Sequence, residues 1–462
     1  MAHTVWQPVI GLELHVQLNT RSKLFCSDEV AFGGEPNTRI SEISLGYPGT
    51  LPRLNKEAVR KALLLSLACG SNINTRFYFE RKNYTYPDLP KGYQLTQSRM
   101  PVCQGGSIPV RLNGRYARQV PLVRIQLEED AGKSLHDVYQ EFTALDFNRA
   151  GTPLLEVVTA PAIHTPEEAG AVVAELRRMV RYLDISDGNM EEASLRCDAN
   201  ISLRQAGTDK LGTRVEIKNL NSIRFLQQAL AFEIQRQEGL LNRSLPVVQE
   251  TRLFDPDSGE TFAMRTKEDL NDYRYFPEPD LPPVALDPEW IAQISQSVPE
   301  MPALRYERYI SRLDVPEAEA ALITEELRLA NLFDLTVTLN GNTRKVANWV
   351  AGPVRNTWTA TGNLPAPHQL AGIITLVESG KVSFSVAAQQ LLPHLTARPG
   401  YGAEEAASEL GIIQTAQEEV ILPHVHELLS SFPDKVNAYR KGEKRFDWVF
   451  YGRNTKAKRQ PV

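Results

Sequence analysis

Val9-Ile10-Gly11-Leu12-Glu13-Leu14-His15-Val16-Gln17-Leu18 alternates apolar and polar side chains with a period of two. Successive side chains of a strand point to opposite faces, so Ile10, Leu12, Leu14, Val16 and Leu18 belong to a core while Glu13, His15 and Gln17 face away from it. The design recurs. Val123, Ile125 and Leu127 oppose Arg124, Gln126 and Glu128; Leu195, Cys197, Ala199, Ile201 and Leu203 oppose Arg196, Asp198, Asn200 and Ser202; Val215 and Ile217 oppose Arg214, Glu216 and Lys218. Residues 153–158 are apolar except for Glu156, an acid that needs a cation or a donor if buried. These segments predict a sheet with one face on a core and the other lining an open basin. Acids, amides and cations gathered in one basin are the material of an active site.

Composition narrows the class. The chain has 462 residues, 42% hydrophobic and 23% charged, which predicts an ordinary globular protein of about three domains. Residues 1–8 lack the basic start and apolar run of a signal peptide, and no stretch approaches the roughly 18 apolar residues of a membrane span. A cytoplasmic location and no membrane contact are therefore expected. Cys26, Cys69, Cys103 and Cys197 are widely spaced with no Cys-x-x-Cys pair, which argues for reduced structural thiols over a disulfide framework. A net charge of -5 excludes a general polyanion binder, so any nucleic-acid contact must come from local patches.

The fold class read from these patterns is α+β. Residues 55–68 read as a helix closed by Gly70, Thr165-Pro166 with Glu168 opens another to about Leu183, and a third runs from Asn221 to Leu241. Pro277, Pro279, Pro282 and Pro283 mark a boundary, beyond which the pattern turns helical; residues 398–402 mark a second. The expected domains are 1–286, 287–400 and 401–462.

Glu13, His15, Glu128 and Glu156 form a plausible oxygen-rich site with one nitrogen donor, suited to Mg²⁺ or Mn²⁺. Each acid alone would more often be a surface or salt-bridged residue; the shared face is what singles them out. Glu129 falls on the apolar phase and ranks below its neighbour. Asp130-Ala131-Gly132-Lys133-Ser134 imitates a P-loop, but Leu127 stands where the first glycine belongs and the preceding acids would repel phosphate. Residues 81–94 are dense in cations, amides and phenols with path-fixing prolines, a composition for a polar conduit or an ordinary surface loop. Residues 440–459 interleave Lys/Arg with Phe446, Trp448, Phe450 and Tyr451, which suits either RNA contact or a solvated end. No Gly-x-Ser-x-Gly or His-Glu-x-x-His occurs, so a covalent nucleophile from this chain is not expected.

In order along the chain, VIGLELHVQL from Val9, RKNYTYPDLPKGYQ from Arg81, EEDAGKS from Glu128 and DFNRAGTPLLEV from Asp146 resemble the GatB family, the B subunits of tRNA-dependent amidotransferases. MEEASLRCDANIS from Met190, EIKNLNS from Glu216, QETR from Gln249 and DYRYFPEPDL from Asp272 extend the resemblance over nearly the whole chain. It implies a cradle related to glutamine synthetase built on an antiparallel or mixed sheet, then a helical domain and a small helical tail domain that contacts tRNA. It also implies a ligase chemistry: ATP phosphorylates the side-chain carboxylate of Glu-tRNA(Gln) or Asp-tRNA(Asn), and ammonia displaces the phosphate. An amidase-type A subunit would release the ammonia from glutamine, and a small C subunit would complete a heterotrimer.

Carried onto these positions, the resemblance assigns Glu13, His15, Glu128 and Glu156 to Mg²⁺, and Lys82, Asn83, Tyr84, Tyr86, Lys91 and Gln94 to an ammonia channel. Glu128, Arg196, Arg214 and Lys218 are candidates for catalysis; Asp198, Asn200 and Glu216 for ATP or a second metal; Arg440, Lys441, Lys444, Arg445 and Arg453 for tRNA. Some family members hold zinc with two cysteine pairs. Here only Cys26 remains, with Asp28, Ser41 and Ser44 at the other places, so no structural zinc is expected. Val462 follows soon after Tyr451-Gly452-Arg453, short of the family's usual final helix, which puts the tail's grip on tRNA in question. The competing expectations are a tRNA-binding adaptor without chemistry of its own and a freestanding ligase for small amino acids.

Overall fold

The computed structural model describes residues 5–136, 138–139, 141–264, 273–414, 422–423, 426–427 and 429–440. Its contacts divide the chain into two compact units, Met1–Glu307 and Arg308–Val462. The first is a mixed sheet with helices and the second is helical, the α+β organisation that the sequence patterns predict.

In the first unit the strands that matter are β1 (Trp6–Gln17), β2 (Asn72–Ile73), β3 (Glu80–Asn83), β4 (Tyr93–Thr96), β5 (Cys103–Gln104), β6 (Ser107–Leu112), β7 (Arg115–Glu129) and β8 (Pro153–Thr159). They continue with β9 (Leu195–Gln205), β10 (Val215–Lys218), β11 (Thr251–Asp255) and β12 (Glu260–Ala263). The main sheet runs β12-β11-β10-β9-β1-β8-β7-β5-β2, with β6 paired to β7. Every pairing in it is antiparallel except β10 with β11. One face is the core: Ile10, Leu12, Leu14, Val16, Ile125, Leu127, Leu155, Val157, Ala199, Ile201 and Ile217 are all fully buried. Each large aliphatic side chain so placed contributes about 2 kcal/mol from removal of apolar surface.

Helix α1 (Lys56–Ala68) starts where Asn55 accepts hydrogen bonds from the Glu57 and Ala58 amides and ends at Gly70, whose φ of +66° suits a residue without Cβ. Helix α2 (Pro166–Tyr182) is capped by Thr165, which accepts from the Glu168 amide. The Glu168 carboxylate takes the His164 amide, one residue before the position a capping box uses. Helix α3 (Ile223–Asn242) begins at Ser222 and packs on α2 and β9. Helix α4 (Pro288–Ser297), which the sequence assigns beyond the proline boundary, lies in the first compact unit, packed on α1 with Lys56 over the Trp290 ring.

The structure corrects the alternation on β7. Val123 is 44% exposed and Leu122 is buried in its place. Val158 pairs with Arg124 and Thr159 with Leu122, so Val123 is the extra residue of a β-bulge that reverses the phase of the strand before Arg124.

The second unit is built around α5 (Leu327–Asn340) and α6 (Pro367–Glu378), which bury Leu329, Phe333, Leu370, Ile373 and Ile374. Gln369 donates to the carbonyls of Arg398 and Tyr401, so the 398–402 break is a turn tied to α6. Among the described residues no helix is long and apolar enough to cross a membrane.

Candidate active site

Cross-strand register assembles the polar face of the sheet. Position 15 on β1 lies between Glu156 of β8 and Arg196 of β9, and Glu156 lies opposite Gln126 of β7. Glu128 pairs with Leu154, diagonal to Glu156. The result is a cluster in which one ligating atom each from His15, Glu128 and Glu156 lies within 4.8 Å of the others. His15 Nε2 is 4.0 Å from Glu128 Oε1. Glu13 stands one register step away, opposite Asp198, and its Oε1 accepts from Asn200 Nδ2 at 2.9 Å.

The electrostatics of the cluster fit a hard divalent cation. Burial, then the Glu128 and Glu13 carboxylates, push the Glu156 carboxyl up to about 8. Burial holds His15 below its ordinary value against the pull of Glu128, which leaves a neutral imidazole with a lone pair. Two crowded carboxylates and a neutral nitrogen are a donor set for Mg²⁺ or Mn²⁺.

The basin is covered where the strand pattern predicts it to be open. Gln126 and Glu128 are 5% and 3% exposed because the ribbon of β3 and β4 lies over them. Thr96 on that ribbon donates to Glu128 Oε2 at 2.8 Å. Lys82 stands over the Tyr273 and Tyr84 rings; burial works against its charge, but Glu128, Tyr275, Tyr273 and Glu156 together hold the ammonium above its ordinary value. The other channel candidates divide between the ribbon's faces. Gln94 pairs with Lys82, accepts from the Tyr84 hydroxyl at 3.4 Å and donates to the Glu129 carbonyl at 2.8 Å. Lys91 turns away, bonded to Glu129 beside a cavity of about 220 Å³ that Phe25, Cys26 and Tyr93 help line. Asn83 anchors the Tyr273 and Arg274 carbonyls, and Tyr86 is exposed with its ring edge-on to Tyr84.

On the other side of β1, Arg196 Nη2 donates to Asp130 Oδ2 at 2.8 Å and Lys218 Nζ donates to Asp198 Oδ2 at 2.8 Å. Lys218 also reaches Glu216 at 2.8 Å. Burial opposes the Lys218 charge, yet Asp198 and Glu216 hold its value above the ordinary one. Arg214 is exposed just before β10 and makes no ion pair among the described residues. Of the tRNA candidates, Arg440 ends the helix Pro433–Arg440, while Lys441, Lys444, Arg445 and Arg453 lie outside the described residues.

Asp130, Thr96, Tyr273 and Tyr275 also stand at this face without being singled out by the sequence patterns, which put Gln126 on the polar face but give it no role. The acid run at 128–130 and the alternation of Gln94 with Thr96 are the signals that point to two of them. Gly132 proves to be a glycine of close approach: a Cβ there would lie 2.9 Å from the Asp88 carbonyl oxygen and 3.0 Å from that of Asp146. Cys26, Asp28, Ser41 and Ser44 do converge, with both serine hydroxyls donating to Asp28. Two alcohols, one carboxylate and a thiol pushed by burial up to about 11 do not suit zinc.

Two family models match the chain, one described as the GatB/GatE catalytic domain over residues 8–292 and one as the GatB domain over residues 331–461. Proteins named as the B subunit of aspartyl/glutamyl-tRNA(Asn/Gln) amidotransferase are similar over nearly full length. The one from Anaeromyxobacter dehalogenans is 44% identical, covering 98% of this chain and 95% of its own. That from Thermodesulfovibrio yellowstonii is 41% identical over 99% and 97%, and that from Cupriavidus metallidurans 43% over 98% and 96%.

Proposed function

Since the chain belongs to the GatB/GatE family, we propose that it is the B subunit of a tRNA-dependent amidotransferase, a cytoplasmic ligase component that activates and amidates misacylated tRNA. A carboxylate is a poor acyl donor at neutral pH. Transfer of the γ-phosphoryl of ATP to the side-chain carboxylate of Glu-tRNA(Gln) or Asp-tRNA(Asn) gives ADP and an acyl phosphate. Ammonia then forms the C–N bond, expels phosphate and sheds a proton, leaving the amide. An A subunit would release that ammonia from glutamine, with a small C subunit completing the heterotrimer.

The observation that carries this reading is the convergence of His15, Glu128 and Glu156 on one covered polar face. These three, with Glu13 adjacent, would hold Mg²⁺, which when bound neutralises charge on a phosphoryl group in transfer. Arg196 and Lys218 on the same sheet, with the exposed Arg214 just before β10, would contact nucleotide phosphates. Asp198, Asn200 and Glu216 would orient the nucleotide or a second cation. Lys82, Tyr84 and Gln94, on the ribbon face toward the cluster, would line the last part of the ammonia path and shut out water.

The test is ATP hydrolysis by the chain with its partner subunits, Mg²⁺ and glutamine. Turnover stimulated by mischarged tRNA and not by uncharged tRNA, with amide formed on it, is expected, and the tRNA that responds names the substrate. Glu128→Gln is expected to lower this turnover at least a hundredfold while tRNA binding stays within about twofold. Equal loss of both would refute the division of labour.

A further inference from the structure

We infer that Gln126 is the positioning residue that aims the Glu128 and Glu156 carboxylates at a shared cation; the inference rests on the metal reading above. Gln126 is 5% exposed and lies directly opposite Glu156 in the β7–β8 register. Its Nε2 donates to Glu156 Oε2 at 2.6 Å and to Thr96 Oγ1 at 3.1 Å, with Glu128 Oε2 at 3.4 Å. Thr96 hands its own hydroxyl proton to Glu128 Oε2 at 2.8 Å. One amide group thus engages one oxygen of each carboxylate, directly on Glu156 and through a threonine on Glu128.

The neighbours set the orientation of that amide. Arg124 Nε donates to Gln126 Oε1 at 2.7 Å. Reversing the amide would turn its oxygen on two carboxylates and its NH₂ on a guanidinium, so the direction is settled by charge. With one oxygen of Glu156 held by Gln126 and one oxygen of Glu128 held by Thr96, Glu128 Oε1 is left to face His15 Nε2 at 4.0 Å. A lysine or arginine at position 126 would satisfy the carboxylates equally well, but it would also cancel the charge that attracts a divalent ion. A neutral donor orients them and leaves that charge in place.

The experiment is a titration of the full chain, assembled with its partner subunits, with Mn²⁺ followed by the electron paramagnetic resonance of the free ion. Gln126→Met removes donor and acceptor at nearly constant volume, and Gln126→Asn keeps the amide but withdraws it by one methylene. Both are expected to raise the Mn²⁺ dissociation constant at least tenfold, with the unfolding midpoint of the metal-free protein little changed for the methionine variant. Mn²⁺ affinity within twofold of the parent in either folded variant would overturn the inference while leaving the metal reading intact. A parent protein that binds no Mn²⁺ would overturn both.

Discussion

Asp130 and Arg196, 66 positions apart in sequence, meet in a 2.8 Å charged hydrogen bond on the sheet that carries His15, Glu128 and Glu156. The same carboxylate oxygen accepts from Gln17 at 2.7 Å, and the Ala131 amide caps the other. Burial would raise the Asp130 carboxyl, but Arg196 and Arg149 outweigh it and hold the value below the usual range. The arginine that the sequence offers as a candidate for catalysis is therefore aimed by a buried acid.

Asp130→Ala is expected to cost about 3 kcal/mol of stability, the low end for breaking a buried pair, because the Arg196 side chain is 33% exposed and is partly solvated once released. Urea unfolding of the variant measures it. The depressed carboxyl gives its stabilisation in full above an ordinary value of about 4 and loses it as pH falls through the folded value, so the variant's stability should also vary less on the acid side.

Glu156, raised to about 8, is mostly protonated at pH 7 in the metal-free protein. A bound cation needs the carboxylate, so Mn²⁺ binding at pH 7 should release about one proton, and the release should fade as pH rises well above 8. Calorimetry in buffers of different ionisation enthalpy reads the proton count. No release at pH 7 would show that Glu156 is either ionised before the cation arrives or not one of its ligands, and a Glu156→Gln variant separates the two by its Mn²⁺ affinity.

Gly132→Ala is expected to destabilise by about 1–3 kcal/mol, since two backbone carbonyls and the Phe147 ring leave no room for a methyl group. ATP affinity of the folded fraction should be unchanged within twofold. A selective loss of ATP binding would restore the phosphate-loop reading of 130–134.

Deleting 441–462 is expected to weaken tRNA binding about tenfold or more and to flatten its salt dependence, because each phosphate left without its cation lowers the slope by about one. Mn²⁺ affinity should not move. Filter binding across a salt series separates the two.

What is legible in the sequence is what is local. Period-two alternation locates β1, β9 and β10, an apolar run around Glu156 locates β8, and Asn55 and Thr165 announce their helices because capping uses only neighbours. The bulge at Val123 is illegible, since an extra residue exists only relative to Val158 and Thr159 on a different strand. So is the lid over Glu128: nothing in residues 123–129 says that Thr96 and Lys82 will cover them. Glu13 and Glu156 share a face with His15, yet only the register of three strands puts Glu156 beside His15 and Glu13 beside Asn200. Asp130 escapes the pattern because it ends the alternation, where a strand period no longer assigns a face.

β1 is a central strand, and its neighbours on either side come from the middle of the chain. A ribosome releases the N-terminus first, so the segment carrying Glu13 and His15 waits, unpaired on both edges, until residues 153–159 and 195–205 have been made. Pairings across such distances form late and slowly. The nascent chain consequently lacks the His15–Glu128–Glu156 cluster until β8 has been made, and a translation product cut short before β9 leaves one edge of β1 without its partner and carries none of Arg196, Asp198 and Asn200.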